Sequence, residues 1–147
     1  MYDVIFAVKS RLLLQELNHM HIWGDSTGFQ VRKITDDFGN LTAELKKTKY
    51  HLVFLEALPD NHVISLLRTI KKENLCQAIA VVSETADFKT VRQSFLLGVD
   101  DYFVIPLEIS QFIALFSKIE NVEHGKIAAE ICEKEELLRL FEQVDFP

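Results

Sequence analysis

Glu56 stands where a side chain could do chemistry by position alone. It follows Leu52-Val53-Phe54-Leu55, four uninterrupted apolar residues, and Pro59 keeps the segment from continuing. Such a run reads as a strand buried on both faces, and in an open parallel sheet ligands gather at the carboxyl ends of the strands. A carboxylate there can hold a metal, accept a phosphoryl group or move a proton if partners converge on it. Few partners offer themselves. His19 and His21 could ligate a metal with His51 or His62, but no acid or cysteine stands at useful spacing, and loop or surface positions suit them better. Asp100-Asp101 precedes a strand, opposite the end that Glu56 occupies, and suits turn and capping work. Cys76 and Cys132 lie far apart with no CxxC or Cys/His spacing, and the glutamates near Cys132 are the wrong surroundings for a reactive thiol. No glycine-rich phosphate loop or nucleophile motif is recognisable. The expectation is no metal site, no cofactor and no enzymatic activity.

The elements that must position Glu56 follow from periodicity. Val4-Ile5-Phe6-Ala7-Val8 reads as the first strand, and Ser10 as the N-cap of a helix carrying Leu12, Leu13, Leu14 and Leu17. A turn-rich connection holds Trp23, Gly24 and Gly28, its tryptophan packed down as a lid. Phe29, Val31 and Ile34 mark a more polar strand suited to a sheet edge, after which Asp36 or Asp37 opens a helix bearing Leu41 and Leu45. Beyond Pro59, Val63, Ile64, Leu66, Leu67 and Ile70 form a helical stripe ending in Lys71-Lys72. Ala78 to Val82 is the fourth strand, stopping at Ser83. A helix with Phe88, Val91, Phe95 and Leu96 ends at Gly98, Tyr102 to Ile105 is the fifth strand, and Ile109 to Ile119 carries a fifth helical stripe. Strands alternating with helices give a doubly wound α/β fold around a five-stranded parallel sheet. After Gly125 an extra C-terminal helix is expected from about Ile127 to Val144, either pairing as a short coiled coil or lying on its own domain. The expected division is a domain over 1–122 and a helical extension or linker over 123–147.

Composition narrows the class. A chain of 147 residues with 48% hydrophobic and 26% charged content can bury a core without staples. Two distant thiols suit a reducing cytoplasm, the first residues lack a secretory pattern, and no apolar run approaches the ~20 residues of a membrane span. A net charge of -6 without a basic stripe argues against direct contact with nucleic acid.

The order of elements, and above all the run Leu97-Gly98-Val99-Asp100-Asp101-Tyr102-Phe103-Val104-Ile105-Pro106, resembles the flavodoxin-like, CheY-like receiver domains of bacterial two-component response regulators. Ile22-Trp23 with Gly28-Phe29, and Asp87-Phe88 at the start of helix four, resemble the receivers of AraC-type transcription factors. The resemblance implies phosphoryl transfer from a histidine kinase to an aspartate at the end of strand three. It also implies a divalent metal held by that aspartate and an acidic pair after strand one, and a lysine at the end of strand five. This sequence departs at each position: Glu56 replaces the phosphoacceptor, Val8 and Lys9 the acidic pair, and Ile105 the lysine. Only Ser83 and Tyr102 match the family's switch hydroxyl and switch aromatic.

Mg²⁺ dehydrates reluctantly and wants one or two carboxylates beside a phosphate, so Glu56 with a cation at Lys9 is a poor site. A glutamate also displaces the acceptor oxygen by roughly 1.5 Å, which can cost about a hundredfold in rate. The expectation is a degenerate pseudo-receiver in which Glu56 pairs with Lys9, in preference to mimicking a phosphorylated aspartate, and in which Ser83 caps the next helix. The family's pairing face would fall on Phe88, Val91, Arg92, Phe95, Tyr102 and Phe112. The expected partner is a second copy, with a regulatory protein as alternative, and the expected role is transcription control through an output domain outside this chain. Two rival readings are a working phosphoacceptor at a nonstandard site, and a small-molecule sensor whose pocket is lined by Val8, Glu56 and Ile105.

Overall fold

All five residues of the strand Leu52–Glu56 are buried, and the rest of the sheet is laid out on either side of it. In the computed structural model, residues 1–122 are described. Chain order runs β1 Tyr2–Ala7, α1 Arg11–His19, β2 Phe29–Thr35, α2 Leu41–Lys47, β3 Leu52–Glu56, α3 Val63–Lys72, β4 Ala78–Ser83, α4 Phe88–Leu96 and β5 Asp101–Val104. Residues 109–122 are helical as well. The chain forms two compact units, Met1–Phe112 and Ile113–Pro147, and the site lies wholly in the first. The expected helix from Ile127 to Val144 and the second thiol, Cys132, fall outside the described residues.

The sheet order is β2-β1-β3-β4-β5, and every neighbouring pair is parallel. Apolar runs in β1, β3 and β4 follow from their inner places, where both faces are covered. The edge strand β2 shows the mixed burial expected of it, with Arg32, Lys33 and Ile34 exposed. Side chains alternate across the sheet. Ile5, Ala7, Val53, Leu55, Ile79 and Val81 join α2 and α3 in one core. Phe6, Phe54 and Phe103 lie under the other face, where Phe103 stacks on Phe112 with centroids 4.2 Å apart. Trp23 meets Phe6, Phe54 and Phe112 edge-on and donates its Nε1–H to the Leu17 carbonyl at 2.7 Å, the lid that its sequence context predicts.

Local signals end the helices where expected. Ser10 caps α1 by accepting from the Leu13 amide at 3.2 Å, and Asp87 caps α4 by accepting from the Thr90 amide at 3.3 Å. Gly98 has a φ of 89°, which lets the Gly98 and Val99 amides fold back on Phe95 and Ser94. Two boundaries differ from expectation. Asp37 opens a single 3-10 turn, Phe38–Asn40, before α2 begins, because its side chain satisfies the Asn40 amide. Strand five is Asp101–Val104, one residue earlier than predicted.

Phe54 contacts Phe6, Trp23, Phe103 and Phe112. Phe54→Ala should therefore lower unfolding free energy by about 3–5 kcal/mol, measured by urea denaturation.

Candidate functional site

The register of the sheet carries Glu56 past the end of β1, beside the turn that leads into α1: Ala7 pairs with Leu55, and Glu56 with Val82. Its side chain is 1% exposed. Glu56 Oε1 accepts from the Lys9 amide at 2.7 Å and from the Ser10 amide at 2.9 Å, just ahead of α1. Hydrogen bonds to an ionised acceptor are short and strong, and a helix start favours an anion. The expected partner is thus corrected in kind. Lys9 holds Glu56 through its backbone, while its side chain is exposed. A main-chain donor meets the buried carboxylate without the cost of burying an ammonium beside it.

The loop after β3 is pinned from the same strand end. Asn61 Nδ2 donates to the Glu56 carbonyl at 2.6 Å, and Asn61 Oδ1 accepts from the Leu58 amide at 3.1 Å. This closes the short connection and leaves His62 at a φ of 51° where α3 begins. Asn61 was not among the sequence candidates. The available signal was Pro59-Asp60-Asn61, since asparagine readily bonds its own turn.

Val8 is buried at 1%, and its amide donates to the Thr35 carbonyl at 3.0 Å. With Val8 and Glu56 both sealed, the pocket expected at Val8, Glu56 and Ile105 is not open. Space exists instead on two flanks: a groove between α2 and α3, and a smaller cleft lined by Pro59, Ser83, Asp87 and Tyr102. Ser83 does not cap α4, because Asp87 does. The Ser83 hydroxyl donates to the Thr85 carbonyl at 2.6 Å. Tyr102 is buried, and burial raises its phenol above the usual range while a hydrogen bond with Ser83 acts in the opposite sense. The hydroxyl and the aromatic are therefore brought together.

Of the face expected to pair, Phe88 is 81% exposed, Phe95 49%, and Arg92 is exposed. Leu96, at 72%, belongs with them and was missed, although its helical spacing from Phe88 and Arg92 was readable. Tyr102 and Phe112 must be removed from that face. Phe112 is fully buried against Phe103 and Phe54, and Tyr102 is inside the opposite core. Val91 is half-buried against that same core.

The remaining candidates do structural work. His51 Nδ1 accepts from the Asp3 amide at 2.9 Å. Asp100 accepts from the Ile79 amide at 2.9 Å, and Asp101 from the Tyr102 amide at 2.8 Å. Among the described residues, no three His, Cys, Asp or Glu side chains gather in a way that could hold a metal ion. Burial pushes the Cys76 thiol up to about 11, and its Sγ donates to the Tyr50 carbonyl at 3.2 Å.

No protein-family model matches the chain. The structure is similar to that of a response regulator from Thermotoga maritima, with a TM-score of 0.67 at 22% identity, over 81% of this chain and 97% of that one. The fold is that of response-regulator receiver domains. The structure is also similar to that of an orphan response regulator of H. pylori, with a TM-score of 0.57 at 20% identity over 84% of this chain and 94% of that one. In sequence it is 33% identical over 102 residues to the cell cycle transcriptional regulator CtrA of Caulobacter vibrioides, which is 68% of this chain and 43% of that relative. The chain thus spans less than half the length of the curated relative it matches.

Glu56→Gln keeps the shape of the side chain and removes its charge. It should cost about 1–3 kcal/mol in urea denaturation and speed hydrogen exchange at the Lys9 and Ser10 amides. Unchanged exchange would mean that the two bonds contribute nothing. For Cys76, a folded value above the unfolded 9.0 means that the folded chain keeps its proton longer. Its contribution to stability is full below that pH and is lost as pH rises towards about 11. In a Cys132→Ser variant, native Cys76 should resist alkylation at neutral pH and react promptly once unfolded.

Proposed function

We propose that the domain is a pseudo-receiver: a phosphorylation-independent regulatory module of a two-component-type response regulator, acting by pairing with a second copy. The observation that carries this reading is the engagement of Glu56 Oε1 by the Lys9 and Ser10 amides. The residues do not fit the divalent ion that receiver chemistry requires. Val8 supplies no ligand, Lys9 brings a positive charge, and the one carboxylate already holds two donors. Phosphorylation at Glu56 would turn Oε1, the acceptor of both amides, from a carboxylate oxygen into a neutral acyl oxygen and so weaken two charge-assisted hydrogen bonds. Ile105 offers no cation for a phosphoryl oxygen.

The pairing surface in this reading is α4. Phe88, Arg92, Phe95 and Leu96 follow one another at helical spacing, and three large exposed apolar side chains on one helix with an arginine between them suit an interaction site. Ser83 and Tyr102 support a switch held in one arrangement by the chain itself. Transcription control through an output domain outside residues 1–147 is supported by the resemblance to a transcriptional regulator. The AraC-type assignment rests on Ile22-Trp23, Gly28-Phe29 and Asp87-Phe88. A reducing cytoplasm is the setting that this role requires.

Acetyl phosphate with Mg²⁺ should leave the intact mass unchanged, and one phosphoryl group on Glu56 would overturn the reading. Sedimentation across a concentration series should show a dimer indifferent to Mg²⁺ and beryllium fluoride. Phe88→Asp with Leu96→Asp should weaken that dimer roughly tenfold or more, with the circular dichroism of the fold preserved. A monomer that dimerises only with the fluoride complex would mean that the site still works.

A further inference from the structure

We propose that the groove between α2 and α3, at the carboxyl end of the sheet, binds a small molecule bearing an amine or guanidinium group. The first support is topological. In the order β2-β1-β3-β4-β5, the chain leaves β1 outward to β2 and then returns across it to β3. Loops diverge where strand order reverses, and the crevice they leave beyond the carboxyl ends is the usual ligand position of an open α/β sheet. Beside that crevice, whose floor at Val8 and Glu56 is sealed, lies an open groove of about 590 Å³. It draws on the loop after each of three strands: Lys9 after β1, Asp36 and Asp37 after β2, and Asp60 and His62 after β3.

Charge and spacing decide the class of ligand. Asp36, Asp37 and Asp60 carry three negative charges against the one positive charge of Lys9, which leaves a net of -2 with His62 neutral. Phosphates and carboxylic acids are therefore disfavoured as the main binding group. An inorganic ion is disfavoured too, because these carboxylates do not form a cluster able to coordinate one. Exposed carboxylates spread along an open groove suit an extended organic cation. Phe38 adds an aromatic ring to the wall, and Thr42 and Ser65 offer hydroxyl oxygens to N–H donors. Lys9 could in addition meet a carboxylate on the ligand, which separates a basic amino acid from a simple polyamine.

Position also suggests what binding would do. Lys9 both walls the groove and holds Glu56 through its amide, and the segment ending at His62 is tied to Glu56 by Asn61. An occupant would thus touch both segments that fix the carboxylate, giving a receiver without phosphorylation a chemical input. That input role rests on the pseudo-receiver reading, whereas the binding itself does not.

The test is titration calorimetry of the full chain with spermidine and, separately, with arginine, at about 0.15 M salt so that loose counterion effects are screened. Saturable binding of either probe at one site per chain is expected, and a tighter arginine complex would bring Lys9 into the site. Sodium glutamate and inorganic phosphate should give no binding. Asp36→Asn with Asp60→Asn should weaken the bound amine roughly tenfold or more, and Asp37 is left intact because it caps the turn before α2. Absence of binding by both probes, or binding undiminished in the double variant, would overturn the proposal. Labelling of Glu56 by acetyl phosphate would overturn the pseudo-receiver reading and leave the amine site standing.

Discussion

A buried carboxylate bonded to two main-chain amides is the constraint on which the carboxyl edge of this domain depends. Charge withdrawn from water is costly unless its oxygens find donors, and the amides around a helix start lack partners within the helix. Glu56 and the Lys9-Ser10 turn each satisfy what the other lacks. The bonds join the centre of the sheet to the first helix, and Asn61 extends the tie to the loop before α3. The carboxylate at the end of the central strand and the main-chain donors ahead of the first helix meet each other.

The sheet makes that contact possible by being stiff. β3 is buried along its whole length and flanked on both sides, so its last side chain is delivered to a fixed point. Below one face, the aromatic layer of Phe6, Phe54, Phe103 and Phe112 packs against Trp23, and aromatic pairs of this kind add directional preference to area burial. On the other face, aliphatic residues of the central strands meet α2 and α3. The groove between α2 and α3 therefore lies above a firm floor, between helices that pack on one core.

Much of the fold was legible because fully buried strands leave long apolar runs and helices announce their ends. Leu52 to Leu55, the caps Ser10 and Asp87, and Gly98 after α4 are read almost directly. The site was legible in its departures and not in its contacts. Val8, Lys9, Glu56 and Ile105 stood out by residue type, yet the donors that hold Glu56 are main-chain amides, which no side-chain identity reveals. Residue type likewise invited a side-chain ion pair at Lys9. Phe112 and Tyr102 were misplaced for a different reason: periodicity locates an apolar stripe but does not say whether it faces the core or a partner. Asn61 was overlooked because its role depends on how short the loop after β3 is.

Trp23 gives the domain a built-in optical probe. It is the single tryptophan of the chain, and its indole sits edge-on to three phenylalanines with its N–H engaged by the Leu17 carbonyl. Its emission arises from one environment, so any rearrangement that loosens the α1 side of the sheet is recorded as a red shift, without a dye or an engineered fluorophore.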